Sequence, residues 1–269
     1  MNAQKSLPSI NYKVFLGVVL FAYLYPLFLF FVLPSTADAT VKYIRTVISA
    51  LIIGIAAVWA IRKENIGFET IGFQKKKLWQ AALISLIAWI VFATAYVGIL
   101  FAVGEDILSL LGKPRLIFQQ WLFVGMGEEL LFRGYLITSL LMAFARVSEK
   151  WRMALALLVG NGIFATVHIP VALYKTAGQE QAAELLSYIP AAFLVGLILS
   201  YFFLRTRNVL LAGLIHGSIN APLIGKEDDP ITLLAIVVVF VIATEAWVFV
   251  QGKLNSTESP DSHVERLSN

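Results

Sequence analysis

An all-α polytopic membrane protein with about eight transmembrane helices is the fold class this sequence predicts, on two observations. The first is composition. Of 269 residues, 59% are hydrophobic and 14% charged, against about 25% charged in soluble domains, and mean hydropathy is +0.79. The second is patterning: the apolar residues come as long runs separated by short loops that hold most of the lysines and arginines. A run of about 20 apolar residues is what a helix needs to cross about 30 Å of hydrocarbon. Cysteine is absent, which excludes structural disulfides, thiolate catalysis and Cys-based zinc or iron–sulfur sites. The net charge of +4 lies mostly in loops, where it speaks to orientation and not to a nucleic-acid partner. There is no internal repeat, and no soluble domain has room to fold between the runs.

Met1 to Lys13 is short and polar, and Val14–Leu33 is the first span, with Pro26 inside it. Ala37-Asp38-Ala39 has the form of a signal-peptide cleavage box, but the apolar core before it is twenty residues long, beyond the roughly 7–15 of a signal. The segment therefore reads as an anchor. Tyr43–Ile61 is the second span. A basic loop follows, with Arg62, Lys63 and Lys75-Lys76-Lys77 around Ile66-Gly67-Phe68 and Ile71-Gly72-Phe73. Trp79–Val103 is the third span, and a loop with Glu105, Asp106, Lys113 and Arg115 leads to the fourth, Leu116–Ala145. Met153–Tyr174 is the fifth and contains His168. The connector Lys175–Ser187 carries Gln179, Glu180, Gln181 and Glu184 and reads as a short surface helix. Tyr188–Leu204, the sixth span, has Pro190 near its first turn, where proline is tolerated. Its Gly196 and Ser200 form a small-xxx-small pair that lets another helix approach. Asn208–Ile224 is the seventh and contains His216 and Asn220; Ile231–Val250 is the eighth, with Glu245 near its end. The tail from Gly252 is polar and reads as disordered. The resulting division is 1–115 for the first three helices, 116–224 for a core, 225–252 for the last helix and 253–269 for the tail.

Eight spans put both termini on one side, which then carries 14 lysines and arginines in its loops and ends against 6 on the other. The positive-inside rule places both termini in the cytoplasm. With that topology Glu128, His168, His216 and Asn220 all fall between the middle and the outer half of the membrane.

The fourth span holds the sharpest signal, Gly125-Met126-Gly127-Glu128-Glu129-Leu130-Leu131-Phe132-Arg133-Gly134. Each charge at mid-membrane costs about 2.5–3.5 kcal/mol on insertion scales, and three fall within six residues. Glu129 and Arg133 are i and i+4, on one helix face, and can pair; Glu128 points about 100° away and has no local partner. One reading is a structural ion pair plus a carboxylate facing a polar cavity. The other makes Glu128 a general base held in a dry place. His216 and Asn220 are also i and i+4. A carboxylate beside an imidazole can accept a proton from water, and a second imidazole with an amide can donate to the oxyanion formed when that water attacks a carbonyl.

Glu128-Glu129-x-x-x-Arg133, Phe164-x-x-x-His168 and His216-x-x-x-Asn220 resemble, in order and spacing, the three signature motifs of the CAAX prenyl protease and bacteriocin-processing (CPBP, or Abi) family. The resemblance covers Leu116 to Ile224; Phe193 to Asn208, with its Leu204-Arg205-Thr206-Arg207 exit, is also similar to the family. It implies a CAAX-protease-like core, an intramembrane glutamic protease related to the eukaryotic Ras-converting enzyme. Glu128 would activate water with His168, His216 and Asn220 would form the oxyanion site, and Glu129 and Arg133 would support them. The eukaryotic enzyme's site opens to the cytosol, whereas the charge count places these motifs toward the outer face. The implied substrate is a membrane-associated peptide or protein reached through the lipid bilayer. The implied setting is a bacterial cytoplasmic membrane, where prenylated CAAX proteins are unexpected. Three other readings compete: a non-proteolytic bacteriocin-immunity or partner-binding protein of the same fold, a proton or ion transporter, and a zinc hydrolase. The transporter lacks visible inverted repeats. The zinc enzyme lacks His-Glu-x-x-His, so no metal or other cofactor is required by any motif.

Overall fold

The computed structural model describes residues 10–32, 38–104, 106–170, 181–226 and 229–257. Among these residues the protein is helical without strands, in eight main helices: α1 (Tyr12–Val32), α2 (Ala39–Lys63), α3 (Lys75–Val103), α4 (a continuous rod over 114–143), α5 (Glu149–Val167), α6 (Gln181–Thr206), α7 (Val209–Asn220) and α8 (Pro230–Thr257). Five of them are long and apolar enough to cross a membrane: α1, α2, α3, α6 from Ser187, and α8 up to Lys253. The chain is an integral membrane protein.

Local sequence sets several ends. Asp38 is the N-cap of α2, its carboxylate accepting from Thr40 N at 2.7 Å and Val41 N at 2.9 Å. That satisfies helix-end donors and gives this residue a structural reason other than a cleavage box; Ala37 lies outside the described residues. Asn208 caps α7 the same way, accepting from Leu210 N and Leu211 N, and its own amide donates to Lys77 O at 2.8 Å. Gly104 ends α3 in the left-handed conformation, φ 75°, where glycine pays no Cβ penalty.

Three expectations about the elements change. The fourth span is not a uniform α-helix: α4 contains two π-helical stretches, Gln119–Val124 and Leu130–Ile137, on either side of the α-helical Gly125–Glu129. Hydrogen bonds in a π turn run i→i+5, so each stretch carries one residue more per turn. Thr138 Oγ1 donates to Arg133 O at 3.0 Å, serving a carbonyl of the second stretch. The described half of the connector, from Gln181, continues α6 without a break and is not a separate surface helix, so Pro190 sits inside α6 and not at its first turn. Residues 171–180 lie outside the description, as does the tail from residue 258. Finally, α7 stops at Asn220 after twelve residues. At about 1.5 Å per residue that is about 18 Å, too short to cross alone, and ten of the twelve are buried. It is a helix inside the protein.

Around it, α4, α3, α6 and α8 pack directly on α7; α2 lies on α4, α5 pairs with α6, α3 with α8, and α1 rests on α2 and α5. Lipid chains are as apolar as leucine, so such helices associate by close packing and internal hydrogen bonds and not by escape from water. Two glycines bring α4 close to its neighbours. A Cβ on Gly125 would overlap Gly213 O of α7, and one on Gly127 would come to 2.5 Å of Ala50 O of α2. The carboxylate pair is thereby pressed into the middle of the bundle. On the face where α7 ends, Gly112 N donates to Leu223 O and Gly225 N to Leu110 O, both at 2.9 Å, around an isolated antiparallel bridge Leu111–Ile224. On the opposite face Ile71 O accepts from Val209 N at 3.0 Å, seating the loop with the two Ile-Gly-Phe triplets against the start of α7.

Candidate active site

The α-helical turn between the two π stretches of α4 presents Glu128 and Glu129 to different surroundings. Glu129 and Arg133 are both fully buried and pair at 2.8 Å through Arg133 Nη1 and Glu129 Oε1. The same oxygen receives His216 Nδ1 at 2.9 Å. Arg133 Nη2 donates to Gly196 O at 2.8 Å and to Asn161 Oδ1 at 3.3 Å, and the guanidinium carbon lies 4.5 Å from the centre of the Phe164 ring. Burying two charges is costly unless they are paired and their remaining polar atoms are served; α5, α6 and α7 serve Arg133 Nη2 and Glu129 Oε1, whereas Glu129 Oε2 and Arg133 Nε are buried without a hydrogen-bond partner among the described residues.

Glu128 faces the two histidines. Its Oε2 is 3.7 Å from His168 Nε2 and 3.9 Å from His216 Nε2. The side chains of Glu128 and His168 each keep 18% of their surface exposed, against 5% for His216, so the group is recessed but reachable. Both imidazoles have their other nitrogen committed. His168, at the C-cap of α5, donates from Nδ1 to Phe164 O at 2.6 Å, and His216 donates from Nδ1 to Glu129. Each ring therefore turns Nε2 toward Glu128, where it accepts while the imidazole is neutral and donates once the ring is protonated. Phe164 sits among them, its ring centre 4.6 Å from that of His168 and 6.1 Å from that of His216.

Asn220 closes α7 as an exposed residue, its amide donating to Gln120 Oε1 at 3.0 Å. Glu128, Glu129, Arg133, His168 and His216 thus lie in one connected cluster, and Asn220 stands one turn beyond His216 on the same helix, tied to α4. Among the described residues no set of three or more His, Asp or Glu side chains is arranged to hold a metal ion. Sequence reading missed Asn161, the Gly196 carbonyl, Gln120, and the bond from His216 to Glu129. Asn161, 1% exposed, had a usable signal as an amide in an apolar run. The carbonyl of Gly196 had none, since every residue carries one. Glu245, outside the cluster, accepts from Arg205 Nε at 2.7 Å and Nη2 at 2.8 Å and from the Tyr201 hydroxyl, joining α8 to α6.

A carboxylate and two imidazoles thus converge on one recessed point of a helical membrane protein. In comparison with known families, residues 110–222 match the family model described as Type II CAAX prenyl endopeptidase Rce1-like. No curated protein and no solved structure matches the chain.

Proposed function

We propose that the protein is an intramembrane endopeptidase that uses Glu128 to activate water against a peptide bond of a membrane-associated peptide or protein. The observation that carries this reading is the pair of distances, 3.7 and 3.9 Å, from Glu128 Oε2 to the two Nε2 atoms. Such separations are too long for direct hydrogen bonds and suit a bridging water. Glu128 takes the proton of that water as it attacks the carbonyl carbon, with His168 accepting or donating at Nε2 to hold it. The oxyanion then receives hydrogen bonds from His216 Nε2–H and from the Asn220 Nδ2 hydrogen that Gln120 does not use. Protonated Glu128 passes its proton to the leaving amine, which restores the carboxylate. Glu129 offsets the charge of His216 when both ring nitrogens carry protons, and Arg133 holds Glu129. Substrates reach the site from the bilayer, and partitioning brings the scissile bond to depth without a large soluble docking surface.

The setting is a bacterial cytoplasmic membrane with both termini in the cytoplasm. Reporter fusions after Lys77 and Lys150 should then report cytoplasm, and a fusion after Gly112 the opposite side. The reverse pattern overturns that orientation. The test of the activity itself compares membrane-protein termini in a deletion strain restored with wild type or with Glu128→Ala. New termini inside or beside hydrophobic segments, present only with wild type, support the proposal, and equal termini in both strains defeat it. Retention of cleavage by purified protein in a strong chelator separates this chemistry from a metal-dependent one.

A further inference from the structure

The hydrogen bonds around Arg133 continue past the cluster described so far, into a residue outside the three motifs. Arg133 Nη2 has two hydrogens, and both are taken: one by Gly196 O at 2.8 Å and one by Asn161 Oδ1 at 3.3 Å. With both held, the guanidinium can present Nη1 to Glu129 in one place only, over the Phe164 ring. Asn161 is itself oriented. Its Nδ2 donates to Leu157 O at 2.9 Å, which turns Oδ1 toward Arg133, and Ser200 Oγ, in contact with Asn161 Oδ1 at 3.0 Å and Gly196 O at 2.8 Å, bridges the two acceptors. The amide oxygen packs close on α6, where only glycine leaves space for it: a Cβ on Gly196 would lie 2.7 Å from Asn161 Oδ1. A neutral amide also suits this position chemically: it anchors Arg133 without competing for the charge that pairs with Glu129.

We infer that Asn161 is a positioning residue, which sets the geometry of His216 through Arg133 and Glu129 without touching the reacting atoms. This rests on the hydrolase reading above. The relay is continuous: Asn161 Oδ1 to Arg133 Nη2, Arg133 Nη1 to Glu129 Oε1, and Glu129 Oε1 to His216 Nδ1 at 2.9 Å. Because one oxygen of Glu129 serves both Arg133 and His216, displacement of the guanidinium moves the acceptor that fixes the imidazole. Removing the amide leaves Nη2 a single anchor, and the ring that faces Glu128 gains freedom. The loss falls on the reacting geometry and not on substrate capture, so kcat changes while KM does not.

The test uses full-length protein in detergent with ¹⁵N-labelled histidine. The chain has three histidines, and comparison with His216→Gln assigns the His216 ring signals. In Asn161→Leu, which keeps the branched skeleton of the side chain and removes the acceptor, the His216 Nδ1 signal should move toward the average of freely exchanging tautomers. With a membrane-spanning peptide as substrate, kcat should fall about 10- to 100-fold, the scale of an ångström-sized misplacement, with KM unchanged. A folded Asn161→Leu protein with an unaltered His216 signal, or with a change in KM alone, overturns the inference. If Asn161→Leu does not fold, Ser200→Ala decides: a smaller displacement of the same signal supports the inference and no displacement defeats it. If wild type cleaves no peptide, the hydrolase reading falls by itself, while the ring signal still answers for Asn161.

Discussion

Helices α7 and α8 are alike in sequence and opposite in place. Both are apolar on nearly every side and neither has a charge in its first turn. Yet ten of the twelve residues of α7 are buried, while only 17% of the spanning part of α8 is. On α8 the buried residues Thr232, Ile236, Phe240 and Thr244 repeat every fourth position, a single line facing the bundle. Ile231, Leu234, Val238 and Ile242 turn outward, and the residues between, such as Leu233 and Val237, are partly buried against the core. In water the outward face of such a helix would be polar and the line could be read from the sequence. In lipid both faces are apolar, and the pattern disappears. What separates the two helices is their polar residues: α7 spends Asn208, His216, Ser218 and Asn220 on internal hydrogen bonds, whereas the carboxylate of α8, Glu245, bonds at the bundle's edge, 42% exposed.

That contrast can be broken or sharpened by matched substitutions. The largest effect belongs to His216→Ala on α7, which should lower peptide hydrolysis by about 10²- to 10⁴-fold in protein that still folds, because Glu129 keeps Arg133. A variant retaining full rates in a peptide-cleavage assay would remove α7 from the chemistry. Next come two leucines. Leu211→Ala, at a fully buried position, should cost about 2–5 kcal/mol through lost packing, and Leu234→Ala, 65% exposed, less than about 0.5 kcal/mol. Thermal unfolding in detergent measures both, and equal losses would mean that α7 is not more enclosed than α8.

Two glycines make a finer pair. A Cβ on Gly217 would come to 2.5 Å of Trp121 Cα, while one on Gly252 meets nothing within 4 Å. Gly217→Ala should therefore destabilise by about 1–3 kcal/mol, whereas Gly252→Ala should be neutral or stabilise by up to about 1 kcal/mol, the helix-propensity difference. Opposite signs of the melting shift are the expected result. Smallest of all is Glu245→Gln, which weakens a pair whose partners are 41% and 42% exposed. It should cost no more than about 1 kcal/mol and leave peptide cleavage unchanged; a loss of cleavage would tie α8 to the site.

The site was legible to unequal depth. Charges inside apolar runs announce themselves, so Glu128, Glu129, Arg133 and the two membrane histidines stood out, and i,i+4 spacing alone paired Glu129 with Arg133. The second partner of Glu129, His216, lies 87 positions away, and no local rule reaches that far. Asn161 was passed over because one amide in a membrane helix has many possible uses. The π stretches of α4 were not legible at all, since i→i+4 and i→i+5 bonding draw on the same residues and the choice depends on what packs alongside.

By itself the sequence determined the membrane class, the order of the apolar segments, and which chemistry-bearing residues had to be buried somewhere. It could do so because crossing lipid imposes length and apolarity on each segment separately. Which helices line the interior, which oxygen of Glu129 serves two partners, and toward which atom each imidazole turns were decided only by tertiary structure. Those choices depend on contacts between segments far apart in the chain, at places such as Gly125 against Gly213 and Asn161 against Gly196, where the fit of one helix against another sets the positions of both.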